Sequence, residues 1–128
     1  MLPLAEIDFG LFHPDRPHIV DYPVKWIPGT IPGHVSPRHF PTDVEPGLAQ
    51  RLRDAALAAW HACGCRDYAR VDFRVDGVGQ PYVLEVNTNP DLSPKAGFPA
   101  ALAAAGIPFT EFVRQVLSNA ATRRGPSP

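Results

Sequence analysis

The stretch YARVDFRVDGVGQPYVLEVNTNP, residues 68–90, decides the fold, because it reads as two strands joined by a glycine-rich turn. Tyr68 to Val75 and Tyr82 to Thr88 are rich in β-branched and aromatic residues, and DGVGQP between them is turn chemistry, so a hairpin is expected. With the turn at Gly77 to Gln80, Asp76 faces Pro81, Val75 faces Tyr82, Asp72 faces Glu85 and Arg70 faces Asn87. Alternation then places Arg70, Asp72, Glu85 and Asn87 on one face, and Val71, Phe73, Leu84 and Val86 on the other. The second face is core; the first is left for chemistry.

Two carboxylates directly opposed across strands repel each other and destabilise the pairing unless a cation sits between them. On the residues alone two readings stand. In one, Arg70 pairs with Glu85, and Asp72 pairs with Arg74 or water, making an ordinary solvated face. In the other, Asp72, Glu85 and Asn87 form an oxygen-only ligand set for Mg²⁺ or Mn²⁺, with open positions for waters and substrate phosphates. Asn87, placed two residues beyond Glu85 where the chain turns away through TNPD, tips the balance towards the metal.

Composition bounds what else the chain can be. Its 128 residues, 45% of them apolar, suffice for one domain or a piece of one. Twelve Lys and Arg against thirteen Asp and Glu leave a net charge of −1, so no nucleic-acid or anionic-membrane partner is expected and function must be local. With no apolar run of membrane-spanning length and no leader-like opening, the reading is cytoplasmic. Cys63 and Cys65 in ACGCRD have no second pair for zinc and are read as buried, reduced thiols. The five histidines lack metal-ligand spacing and are read as loop or surface residues.

Outward from the hairpin, LPLAEIDF near the start looks like a strand with no turn or cap before it, which suggests a piece of a larger domain. IVDYPVKWI reads as a broken extended segment, with Pro23 marking a sheet edge. Pro28, Pro32, Pro37, Pro41 and Pro46 then stiffen a long loop whose Ile31, Val35 and Phe40 suggest a docking cover. A helix is expected from about Pro46 to Ala62, capped by Thr42 or Asp43, ended by Gly64 and striped by Leu48, Leu52, Ala55, Ala59 and Cys63. A short alanine-rich helix from about Pro99 to Ala105 follows. A last helix runs from near Thr110 to about Ala121, with Phe112, Val113, Val116 and Leu117 inward, before a frayed tail.

The Arg-x-Asp strand followed by Leu-Glu-x-Asn-Thr-x-Pro resembles the ATP-grasp superfamily, and within it the D-alanine–D-alanine ligases. The likeness runs from LPLAEI through DYPVKW to GIPFTEFVRQVL. It implies an α/β (α+β) fold: the C-terminal subdomain of an ATP-grasp domain over residues 1–123, an antiparallel sheet backed by helices, with 124–128 a flexible tail. It further implies that Asp72, Glu85 and Asn87 hold Mg²⁺ against the phosphates of ATP. Arg70 would steady the oxyanion formed when an amine attacks an acyl phosphate, and Lys25 would reach the phosphates from the loop over the site. Such chemistry runs on charge neutralisation and positioning and needs no protein nucleophile.

The pattern departs after the Asn-Thr-x-Pro motif. The family continues Gly-Met-Thr-x-x-Ser, whose serine binds the second substrate's carboxylate; here Asp91 stands for the glycine and Ala96 for the serine, which leaves Ser93 and Lys95 as weaker substrate candidates. The family's glycine-rich loop and first lysines belong to chain that would precede Met1, so the resemblance implies about half of a nucleotide site. The expected activity is carboxylate–amine ligation on a small amino acid or dipeptide. Its alternatives are a non-catalytic remnant that binds metal or nucleotide, and an ATP-grasp peptide ligase with another amino-acid substrate. The expected partner is a complementing N-terminal half or a second copy.

Overall fold

A computed structural model describes residues 1–10, 12–27 and 38–124. The chain forms two compact units, Ala5–Pro41 and Met1–Leu4 with the chain from Thr42 onward. The proline-rich loop's Ile31, Val35, Pro28, Pro32 and Pro37, with His34, lie outside the described residues, as do residues 125–128 of the tail.

In the larger unit, strands β3 (Arg70–Val75) and β4 (Pro81–Asn87) pair antiparallel. Arg70 faces Asn87 and Asp72 faces Glu85, as the alternation predicts. The turn end differs. Val75 faces Pro81 and Arg74 faces Tyr82, and an irregularity after Asp72 leaves Leu84 without an opposite residue. The cause is a five-residue loop. Asp76 Oδ1 accepts from the backbone N–H groups of Val78 and Gln80, and Asp76 N–H donates to the Gln80 carbonyl, closing the turn one residue earlier than Gly77. Those backbone donors, Gln80 first, hold the Asp76 carboxyl below its ordinary range. A bulge at Leu84 then restores the register for Asp72 and Glu85.

Helix α2 (Pro46–Ala62) packs mainly on β4. Its cap is Glu45, not Thr42 or Asp43: proline tolerates the first helical position, so the residue before it becomes the cap. Glu45 accepts from the N–H groups of Gly47 and Leu48, both at 2.6 Å. At the other end Gly64, at φ 61°, donates to His61 O, and Cys65 N–H reaches back to Trp60 O, the paired bonds of a Schellman ending. Cys65 is buried but Cys63 is exposed, which corrects the reading of two buried thiols. The stripe's last position falls where the chain has already left the helix.

Helices α3 (Gly97–Ala104) and α4 (Phe109–Arg124) pack on each other. Tyr68, Phe98 and Phe112 form a triad of rings with centroids 5.1–5.2 Å apart, joining the approach to β3 to both helices. Leu102 in α3 is buried. Of the expected inner face of α4, Phe112 and Val116 are half-buried, whereas Val113 and Leu117 are exposed. Asp67, in the left-handed region at φ 61°, accepts from both terminal nitrogens of Arg123 (2.8 and 2.7 Å) and from Asn119 (2.9 Å), tying the loop before β3 to α4.

The smaller unit holds a two-residue ladder between β1 (Glu6–Ile7) and β2 (Arg38–His39), and α1 (Tyr22–Trp26). The expected extended segment at IVDYPVKWI is thus helical over its centre. Asp21 accepts from Val24 N–H and from Arg16, and Pro23 sits in the first turn, where no backbone donor is missed. His13, His18, His39 and His61 are exposed, as read from their spacing.

Candidate functional site

The geometry of the hairpin brings three of the candidate side chains into one hydrogen-bonded group. Arg70 and Asp72, two residues apart on β3, project from the same face; Arg70 Nε donates to Asp72 Oδ1 at 2.6 Å and a terminal nitrogen donates to Asp72 Oδ2 at 2.8 Å. The same terminal nitrogen donates to Glu85 Oε1 across the strand pair at 3.1 Å. This fork resolves the like-charge opposition of Asp72 and Glu85 by placing a cation between them. The hydrogen bond to Asp72, then the charges of Asp72 and Glu85, push the Arg70 pKa further up and keep it charged. Arg70 takes both acids, where the solvated-face reading divided them between Arg70 and Arg74.

Asn87 stands opposite Arg70, and its Oδ1 accepts from the backbone N–H of Asn89 at 2.9 Å. That bond turns the chain away from the sheet and fixes the amide, leaving the oxygen a second lone pair. Two carboxylates and one amide oxygen are hard oxygen donors, the type that suits Mg²⁺ or Mn²⁺. Among the described residues no cluster of three or more His, Cys, Asp and Glu side chains gathers. Asp72 and Glu85 both accept from one guanidinium, so the two acids converge on a single positive charge.

Beyond the sheet, Asp91 Oδ1 accepts from Ser93 N–H at 2.8 Å and Asp91 Oδ2 from the Ser93 hydroxyl at 3.0 Å, while Ser93 O accepts from Ala96 N–H. The Ser93 hydroxyl therefore donates its hydrogen bond to Asp91, and the two residues shape the loop together. Sequence reasoning passed over Asp91 as a loss of glycine; an Asp two residues before a Ser is itself a turn signal. Lys95 is exposed. Lys25 belongs to α1 in the smaller unit, and its side chain lies outside the described residues. An open cleft of about 480 Å³ in that unit is lined by Glu6, Phe9, Phe12, His18 and His39 among others, and no candidate residue falls in it.

A family model described as the D-Ala–D-Ala ligase C-terminus matches residues 13–118. The chain belongs to that family. It is therefore the ATP-grasp, D-alanine–D-alanine ligase-like C-terminal part that the Arg-x-Asp and Leu-Glu-x-Asn-Thr-x-Pro strands resemble. Over 108 residues it is 41% identical to a D-alanine–D-alanine ligase of Synechococcus sp. (strain JA-2-3B'a(2-13)), covering 84% of this chain and 31% of that protein. Over 123 residues it is 36% identical to the uncharacterized protein y4sG of Sinorhizobium fredii, covering 96% of this chain and 34% of that one. Among solved structures, the D-alanine–D-alanine ligase of Bacillus anthracis complexed with ATP superposes with a TM-score of 0.63 at 32% identity, covering 68% of this chain and 29% of that one. The chain thus spans about a third of the length of its curated relatives. The family's mixed helix and antiparallel-sheet fold is the one observed.

Proposed function

We propose that this chain supplies the metal- and phosphate-handling hairpin of an ATP- and Mg²⁺-dependent carboxylate–amine ligase of D-alanine–D-alanine ligase type, working through an acyl phosphate. The observation that carries the reading is Asp72 set opposite Glu85 with the Arg70 guanidinium between them, on a hairpin belonging to that family. Asp72, Glu85 and Asn87 would hold the divalent ion, which when bound neutralises phosphate charge during phosphoryl transfer. Arg70 supplies a fixed positive charge for the oxyanion that develops when the amine attacks. By the family resemblance alone, Lys25 would be a further charge towards the phosphates. Residues 1–123 are the C-terminal portion of the domain, and an N-terminal ATP-grasp portion completes the nucleotide grip; pairing with a second copy is the alternative. A nucleotide substrate supports a cytoplasmic location, and no described helix is long and apolar enough to cross a membrane.

The acceptor is an amine-bearing amino acid or small peptide. A second reading of its identity, an ATP-grasp peptide ligase with an acceptor other than D-alanine, draws on the Asp91–Ser93 pair: the hydroxyl bound to Asp91 and the extra negative charge both disfavour a bare carboxylate there. Lys95 provides the compensating cation. The test is ADP release by the chain combined with the N-terminal two-thirds of a family ligase, over a panel of D- and L-amino acids and dipeptides. Release that depends on an added amine supports the ligase and names its acceptor. Nucleotide binding without turnover for any acceptor supports the non-catalytic alternative.

A further inference from the structure

The fork of Arg70 takes hold of the very oxygens that a divalent ion would need. Both oxygens of Asp72 and one of Glu85 accept from it, at 2.6, 2.8 and 3.1 Å. The two grips are unequal. Asp72 is held by two nitrogens along one strand, a geometry that survives small movements. Glu85 is held by one nitrogen across the pair, at the longest of the three distances and from the more exposed of the two carboxylates, 58% against 36%. A divalent ion entering between the carboxylates brings twice the charge of the guanidinium and repels it, and the weaker contact breaks first.

We infer that Arg70 is an internal counter-cation exchanged for the metal. It holds Asp72 and Glu85 together against their mutual repulsion, and entry of a divalent ion and release of the guanidinium, from Glu85 first and then from Asp72, are one coupled step. The inference rests on reading Asp72 and Glu85 as metal ligands. The exchange keeps the site assembled without a metal, because the acids never face each other unscreened. It also makes the guanidinium available only once the metal has arrived. Arg70 remains tethered at the start of β3, opposite Asn87, so the released head stays at the same face, where an anionic group of a substrate can take it. A single side chain thereby orders two events: metal first, Arg70 second.

The exchange is tested on the full chain without nucleotide, using the metal alone. A guanidinium held by two carboxylates rotates slowly about its Nε–Cζ bond, so its terminal nitrogens give separate ¹⁵N-coupled proton signals at low temperature. Mg²⁺ is titrated while these signals are followed, and its affinity is measured in parallel by calorimetry. Exchange predicts that the Arg70 signals collapse with the midpoint of metal binding. Binding of Mg²⁺ with the Arg70 signals still separate overturns the exchange and leaves the metal site standing. If Mg²⁺ does not bind at all, the metal-site reading fails and the exchange falls with it. As a second measurement, Arg70→Gln removes the competitor and raises Mn²⁺ affinity by about tenfold in paramagnetic relaxation titrations; equal or weaker affinity overturns the proposal. Arg70→Lys, which keeps the charge but loses the fork, is expected between the parent and Arg70→Gln.

Discussion

At the scale of single residues, the proposed function gives the opposed acids more weight in chemistry than in folding. Asp72 and Glu85 are joined to Arg70 by ion pairs on a half-exposed face. Pairs of that kind contribute under about 1 kcal/mol, because water and salt screen them and the side chains lose freedom on pairing. Asp72→Ala or Glu85→Ala is therefore expected to leave the circular dichroism spectrum and the melting temperature near those of the parent. On the proposed function either change removes a hard-oxygen ligand and should abolish Mg²⁺-dependent binding of ATP in calorimetry. If both variants bind Mg-ATP like the parent, the metal ligands lie elsewhere. Both the pairing and the shared face of these residues were legible in the sequence because strand alternation is strict. The Leu84 bulge was not, since it depends on how Asp76 closes the turn, a choice made by side-chain bonds to backbone that no alternation pattern encodes.

Elements were legible in proportion to the strength of their end signals. Helix α2 begins at Pro46 and ends before Gly64, as read, because proline and glycine fix those positions by backbone geometry. Helix α1 was read as extended: five residues are too few to show a period, and Pro23 was taken for an edge marker when, with Asp21 before it, it is a helix-start signature. Gly64→Ala tests the ending directly. No heavy atom lies within 4 Å of the added methyl, so only the positive φ opposes it, and a loss of about 1 kcal/mol in urea unfolding is expected. The Asp67 latch on α4 gives a pH prediction with a definite sign. Its carboxyl is held below the ordinary range first by the hydrogen bonds from Arg123, then by that from Asn119. The stabilisation is therefore complete above the unfolded carboxylate pKa of about 3.9 and is lost as pH falls through the lower folded value. Asp67→Asn keeps a residue tolerant of the left-handed region but gives up the fork. The melting-temperature gap between parent and variant should be constant from neutral pH to about pH 5 and should close below about pH 4. A gap that widens on acidification would rule the latch out.

For the whole molecule, the sequence showed which side chains prefer burial but not whether this chain covers them. Val75, Tyr82, Val83 and Leu84 on the hairpin are all exposed, Leu84 at 61%, although the alternation assigns Leu84 to a core face. In α4, Leu117 is exposed at 65%. A two-stranded sheet is at best marginally stable by itself, and β3 and β4 lean on α2 with their outer edges unpaired among the described residues. The chain spans about a third of its relatives' length, and the proposed N-terminal portion would bring the strands and apolar surface that such a hairpin lacks. The purified chain alone is therefore expected to unfold early and broadly in urea, with fast amide exchange along β4. Adding the N-terminal two-thirds of a family ligase should slow exchange at Val83, Leu84 and Val86 and shift the urea midpoint upward, rising with the logarithm of the concentration of the added part. Self-association gives a different pattern, with protection that rises with the chain's own concentration and is indifferent to the added part. Protection that responds to neither would mean that this face works uncovered, and the proposal of a complementing portion would have to be abandoned.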